Sequence, residues 1–239
     1  MKNIEVNNIT KSFSNVEALK DVSFSLKAST ITGLIGPTAS GKSVLLKVLA
    51  GIYEQDSGTF DLGIKNKSDV SLMFQEGALF DSMNVFDNVL FPLTRGNSLS
   101  LLSDEKRKNY TYKIFDILDK VGLKDSYLKM PGQLSGGMRK RVSLARALVS
   151  TPSVVLLDDP TSGLDPVASA VIMELISNLQ KEYNLTMIIV SHDLRRLFPV
   201  VSHLLALNDG VLIYDDKKEN IKNISNKELR YFISCRYNI

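Results

Sequence analysis

The stretch GPTASGKS, Gly36 to Ser43, fits the spacing G-x-x-x-x-G-K-[ST]. A loop of this kind turns its backbone N–H groups inward onto phosphate oxygens. Lys42 then adds a fixed cation beside the β and γ phosphates, and the Ser43 hydroxyl is placed to ligate Mg²⁺. The motif needs a strand before it and a helix after it; TITGLI precedes it and a helical pattern opens at Lys42. Gly36 and Gly41 frame the loop, with Pro37, Thr38, Ala39 and Ser40 between them. Related loops carry glycine where Ala39 stands, and a Cβ is costly there if φ is positive. The expectation is an altered loop dihedral with nucleotide binding retained.

A second set of polar residues sits at strand ends. In SVVLLDDPTSGLD, Asp158 closes an apolar run, where its carboxylate can hold the Mg²⁺ shell. Asp159 follows, points the other way, and can orient or deprotonate a water attacking the γ phosphate. His192, in IIVSHD, can hydrogen-bond that phosphate and sense its presence. Gln75, in LMFQEG, can reach the same Mg²⁺ or water. The stretch LSGGMRKR is different: Ser135, Gly136 and Gly137 make a glycine-rich helix start suited to an anion, followed by Arg139, Lys140 and Arg141. Those cations read as a solvated helix face, against a dipole that opposes them by a few tenths of a kcal/mol.

The elements that must position these groups are legible as alternation. The runs TITGLIG, DVSLMF, SVVLLDD, TMIIVSH and HLLALNDG have the length of buried strands, and the helical patterns between them imply a largely parallel α/β sheet. Between Val167 and Asn184, Ile172, Leu175, Ile176 and Leu179 repeat at i, i+3, i+4, i+7, which marks one buried helix face. The front segment IEVNNITKSFSNVEALKDVSFSL alternates and reads as an antiparallel flank. Residues 85 to 150 read as a mainly helical insertion, in which Ile114, Leu118 and Val121 form an apolar stripe and RGNSLSLLSDEKRK a mobile loop. The tail, residues 215 to 239, is expected to end in a helix.

Bulk properties agree with a packed chain. At 239 residues it buries an ordinary core as one domain, and a net charge of +3 from 29 basic and 26 acidic residues gives no reason to expect nucleic acid. Its one cysteine, Cys235, forms no internal disulfide. MKNIEVNNITKSF lacks the apolar core of a signal peptide, and no run approaches the roughly 18 apolar residues of a spanning helix. Any membrane role is therefore expected to run through a partner.

GPTASGKS, Gln75, LSGGM, LLDDPTSGLD and VSHD occur in the order and spacing of the ATP-binding cassette (ABC) ATPases, and the chain resembles that family over almost its whole length. The resemblance implies an α/β P-loop fold of the ABC nucleotide-binding type, with a mostly parallel core sheet, an antiparallel β flank and a helical subdomain at about residues 85 to 150. It implies ATP and Mg²⁺ as cofactors, and adenine stacking by Phe13. It implies a homodimer in which Ser135, Gly136 and Gly137 complete the γ-phosphate site of the neighbouring copy and Asp165 crosses the interface. The family has Glu where Asp159 stands; Asp is shorter by one C–C bond, roughly 1.3 to 1.5 Å, so hydrolysis can be slow or a shifted backbone can compensate.

FQEGALFDSMNVFDNVLFPL and LSGGMRKRVSLARAL are similar to the ATPases of the Mla/Mce lipid-transport systems. That similarity implies phospholipid or related lipid trafficking, an MlaE-like integral membrane permease, an MCE-domain lipid-binding protein, and a place on the cytoplasmic face of the inner membrane. Two other readings stay open: a soluble ABC ATPase of translation or DNA repair, which usually has two cassettes or long coiled coils, and a weakly hydrolysing nucleotide switch, favoured if Asp159 fails as a base.

Overall fold

The computed structural model describes residues 2–66, 69–224 and 226–235. The chain opens with β1 (Ile4–Phe13) and β2 (Val16–Leu26), an antiparallel pair in which Ile4 faces Leu26 and Val6 faces Phe24. Next come β3 (Ile31–Ile35), α1 (Lys42–Leu49), β4 (Ser57–Asp61) and β5 (Val70–Met73). Helices α2 (Val85–Thr94), α3 (Asp104–Lys120) and α4 (Gly136–Leu148) follow. The chain then alternates β6 (Val154–Asp158), α5 (Pro166–Tyr183), β7 (Thr186–Val190) and α6 (Leu194–Leu197), before β8 (His203–Asn208), β9 (Val211–Lys217) and α7 (Lys227–Ser234).

Among the described residues the strands form two sheets. One is antiparallel, in the order β2-β1-β4; the other runs β5-β6-β7-β3-β8-β9 and is parallel except for β9. Every residue of β3, β6 and β7 is buried, because this sheet is covered on both faces. Alternation within β6 shows how: Val155 and Leu157 pack toward the helices α2 to α6, while Val154 and Leu156 pack toward α1 and the antiparallel sheet. The expected α/β class, the antiparallel flank and the helical segment are all present.

Two local expectations are corrected. In RGNSLSLLSDEKRK the loop ends at Ser103, whose Oγ caps α3 by accepting from Lys106 N at 3.5 Å, and Asp104 onward is helical. The tail does not begin at Asp215, because Asp215 to Lys217 complete β9. The turn Asp209–Gly210, with φ of 47° and 80°, folds β9 back on β8 as a two-residue hairpin. Helix α7 supplies the expected tail helix; residues 236–239 of that tail lie outside the described residues.

The strand order sets the site. With β5, β6, β7 and β3 parallel and adjacent, the loops leaving their C-terminal ends emerge along one edge. Those loops carry Gln75, Asp158 with Asp159, His192, and the glycine-rich turn.

Candidate functional site

A cleft of about 710 Å³ opens at that edge, lined by Thr38 to Val44, Gln75, Asp158, Asp159 and His192, with Val16 to Ala18, Lys20, Asp209 and Gly210 on its other wall. The loop between β3 and α1 depends on its glycines where they meet other backbone. Gly36 has φ of 146°, and a Cβ there would lie 2.1 Å from Leu207 O. Gly41 has φ of 99°, and a Cβ would lie 2.4 Å from Ala18 O. Ala39 has a left-handed φ of 63°, so the alanine carries the strain of a conformation that favours glycine.

Within the loop, Lys42 Nζ donates to Gly36 O at 3.0 Å and to Ser40 Oγ at 3.2 Å. The cation is therefore curled over the concavity where phosphate oxygens would sit. Ser43 Oγ donates to Asp158 Oδ1 at 3.0 Å. This contact tests the fit of Mg²⁺ to the chain: a hydroxyl and a buried carboxylate from two different elements already converge, and both are the hard oxygen donors that Mg²⁺ prefers. Among the described residues no three His, Cys, Asp or Glu side chains cluster. A Mg²⁺ held here would draw its remaining ligands from water and phosphate, as that ion ordinarily does.

Asp158 and Asp159 are 6% and 7% exposed. Asp159 has a left-handed φ of 46° just past the strand, and it lines the cleft together with Asp158. Burial pushes the Asp159 carboxyl above the usual carboxylate range; His192 and Lys140 pull it back, and Asp158 adds to the rise. His192 lines the cleft beside it.

Other expected site residues lie elsewhere. Ser135, Gly136 and Gly137 do not line the cleft; Ser135 is exposed and caps α4, accepting from Met138 N at 3.2 Å. Asp165 caps α5, accepting from Val167 N at 2.8 Å and Ala168 N at 2.9 Å, and those donors hold its carboxyl below the usual range. Phe13 is 40% exposed at the end of β1 and meets Tyr53 edge-on, with centroids 5.1 Å apart, outside the residues that line the cleft.

The cations after LSGG are the expected solvated face only in part: Arg139 is exposed and Arg141 half-buried, but Lys140 is not solvated. Lys140 is 8% exposed, and its Nζ donates to Gln75 O and to Ser162 Oγ. Arg139 Nη1 returns to Leu134 O at 2.7 Å and Arg141 Nη1 to Val121 O at 3.1 Å. Sequence reasoning missed the role of Lys140 because Gln75 O and Ser162 Oγ, which accept from its ammonium, lie on loops far away in the chain. One signal was available: Lys140, Ser143 and Arg146 recur every three residues on a face that the apolar pattern would otherwise bury.

Residues 19–162 match the family model described as "ABC transporter". The chain is 34% identical over 245 residues to the probable ribonucleotide transport ATP-binding protein mkl of Mycobacterium tuberculosis, covering 98% of this chain and 67% of that protein. Its fold resembles a nucleotide-free ATP-binding cassette from an ABC transporter, with a TM-score of 0.84, 28% identity, and 97% and 98% of the two chains covered. It also resembles a bacterial ABC transporter cassette solved as a dimer, with a TM-score of 0.77, 27% identity, and 90% and 98% covered.

Proposed function

We propose, from the premise that the chain belongs to the ABC transporter family as an ATP-binding subunit, that two copies hydrolyse MgATP at shared sites and drive a separate membrane permease. ATP with Mg²⁺ is the cofactor pair of such a domain. The single observation that carries the reading is the convergence of Lys42, Ser43, Asp158, Asp159, His192 and Gln75 on one cleft while Ser135 to Gly137 stay outside it. In this reading each chain supplies half of a phosphate cage from its cleft and the other half, for a second copy, from Ser135 to Gly137.

In this reading the loop N–H groups and Lys42 would bind the β and γ phosphates, and Ser43, Asp158 and Gln75 would hold Mg²⁺, which would supply charge neutralisation at the transferred phosphoryl group. Asp159 accepts a proton from the attacking water or orients it. Burial raises its affinity for a proton above that of an ordinary aspartate, in the direction a general base needs. His192 hydrogen-bonds the γ phosphate. Phe13 stacks on adenine once nucleotide orders the rim, and Asp165 meets the partner copy from the start of α5.

Among the described residues no helix is long and apolar enough to cross a membrane. The helical segment after Gln75 is the part we assign to an MlaE-like permease, which would hold the subunit on the cytoplasmic face of the inner membrane, with an MCE-domain protein as a further partner. The lipid cargo rests on the resemblance of FQEGALFDSMNVFDNVLFPL to Mla/Mce ATPases. The mycobacterial relative's name points instead to ribonucleotides. Purifying the assembly from membranes and identifying what it carries separates the two: bound phospholipid supports the first, and a nucleotide cargo with no lipid overturns it.

Hydrolysis itself is tested by reconstituting the chain with its permease beside an Asp159→Glu variant. Measurable turnover in the wild type is expected. Near-zero turnover that the glutamate restores would make the protein a nucleotide switch, because a misplacement of about 1 Å can cost on the order of 10²-fold in rate.

A further inference from the structure

Helix α4 grips the segment after β5 through three polar side chains at three-residue spacing. Lys140 Nζ donates to Gln75 O, Ser143 Oγ to Gly77 O at 2.7 Å, and Arg146 to Gly77 O at 2.6 Å and Ala78 O at 2.7 Å. Lys140 alone reaches further. Its ammonium also donates to Ser162 Oγ at 2.8 Å, and Ser162 Oγ lies 3.3 Å from Gln75 O. Ser162 N in turn donates to Asp159 O at 3.1 Å, closing the turn that carries the candidate base. One buried cation thus joins three pieces of chain: the helix begun by Ser135, the loop bearing Gln75, and the turn bearing Asp159.

A buried ammonium is an expensive way to fill a helix face, and only partners offset its desolvation. Here the partners are two acceptors on functional loops, with the carboxylates of Asp159, Glu76 and Asp158 attracting it from nearby. An apolar side chain would satisfy packing at lower cost, so the placement asks for a role beyond stability.

We propose that Lys140 is a positioning residue that locks the Gln75 loop and the Asp159–Ser162 turn to α4, so that both side chains keep their register on the phosphates and shift together with the Ser135 end of the helix. The ammonium holds the Gln75 backbone directly and the Asp159 turn through Ser162, whose side chain it bonds and whose N donates to Asp159 O, and closure of Ser135 to Gly137 onto a second copy's nucleotide is transmitted to both loops through it. This rests on the ATPase reading of Gln75 and Asp159 given above.

The test uses the full chain with its permease, comparing wild type, Lys140→Met, Lys140→Arg and Ser162→Ala for MgATP affinity, turnover and melting temperature. Lys140→Met is expected to lose about 10- to 100-fold in kcat while MgATP Kd stays within about threefold, a split that a role in folding alone would not produce. Lys140→Arg should recover part of the loss, and adding Ser162→Ala to Lys140→Met should cost little more than Lys140→Met by itself. If Lys140→Met does not fold, Ser162→Ala carries the test and should lower kcat severalfold at unchanged Kd. Turnover in these variants within about twofold of wild type, or losses in Kd and kcat that run in step with melting temperature, would overturn the proposal. A wild type with no turnover would instead overturn the ATPase reading on which it rests.

Discussion

A methyl group at position 39 sits on a left-handed backbone, φ 63°, in the middle of the phosphate loop. That conformation costs an L-residue roughly 1–2 kcal/mol relative to glycine, offset in part because glycine gains more freedom when unfolded. Ala39→Gly should therefore raise nucleotide-free stability by about 0.5–1 kcal/mol in urea titration, with ATP affinity little changed. Lys42→Ala should nearly abolish ATP binding, seen by equilibrium titration, because the loop loses the one cation curled over it. Asp165 offers a pH test. Its carboxyl is held below the usual range by two backbone donors, so the stabilisation is present above the unfolded value of about 3.9 and fades as pH falls through the lower folded one. The stability gap between wild type and Asp165→Ala should be wide at pH 7 and narrow toward pH 3. Residue type and spacing singled out the glycine-rich turn and the acidic pair, which the structure brings to one cleft, since the chemistry proposed for them requires those atoms. The sequence did not reveal which dihedral Ala39 would hold, because the neighbouring backbone decides that.

The elements explain why the chemistry sits at one edge. Strands β3, β6 and β7 read as continuous apolar runs, being covered on both faces, and their parallel order brings their outgoing loops together. Gly36 lies where β3 leaves the sheet against the end of β8, and a Cβ would collide with Leu207 O at 2.1 Å. Gly36→Ala should cost about 1–3 kcal/mol of stability and weaken nucleotide binding together, because the loop must move off β8 to admit the methyl. What stayed hidden were the half-exposed pieces. β4 and β9 carry no uniform apolar run, and the Asp209–Gly210 hairpin resembles any surface turn until β8 is seen beside it. Lys140 of α4 departs from the expected solvated face for a related reason: a lysine facing water and one facing a distant carbonyl have the same helical spacing.

For the whole molecule, the proposed function divides the site residues between two places. Lys42, Ser43, Asp158, Asp159, His192 and Gln75 line one cleft, while Ser135 to Gly137, at the start of α4, are not among its lining residues. Ser135→Arg should leave ATP binding by the single chain nearly intact while blocking hydrolysis, whereas Lys42→Ala blocks both. These two defects fall in opposite halves of the proposed shared site, so a mixture of the two inactive variants is the most direct measurement. In a mixed pair, one site combines both lesions and the other combines an intact loop with an intact Ser135. Equal amounts of Lys42→Ala and Ser135→Arg should regain hydrolysis toward roughly a quarter of the wild-type rate if sites act independently, since half the pairs are mixed and each has one good site. A mixture as inactive as its parts, with wild-type protein turning over as a single copy, would contradict the account.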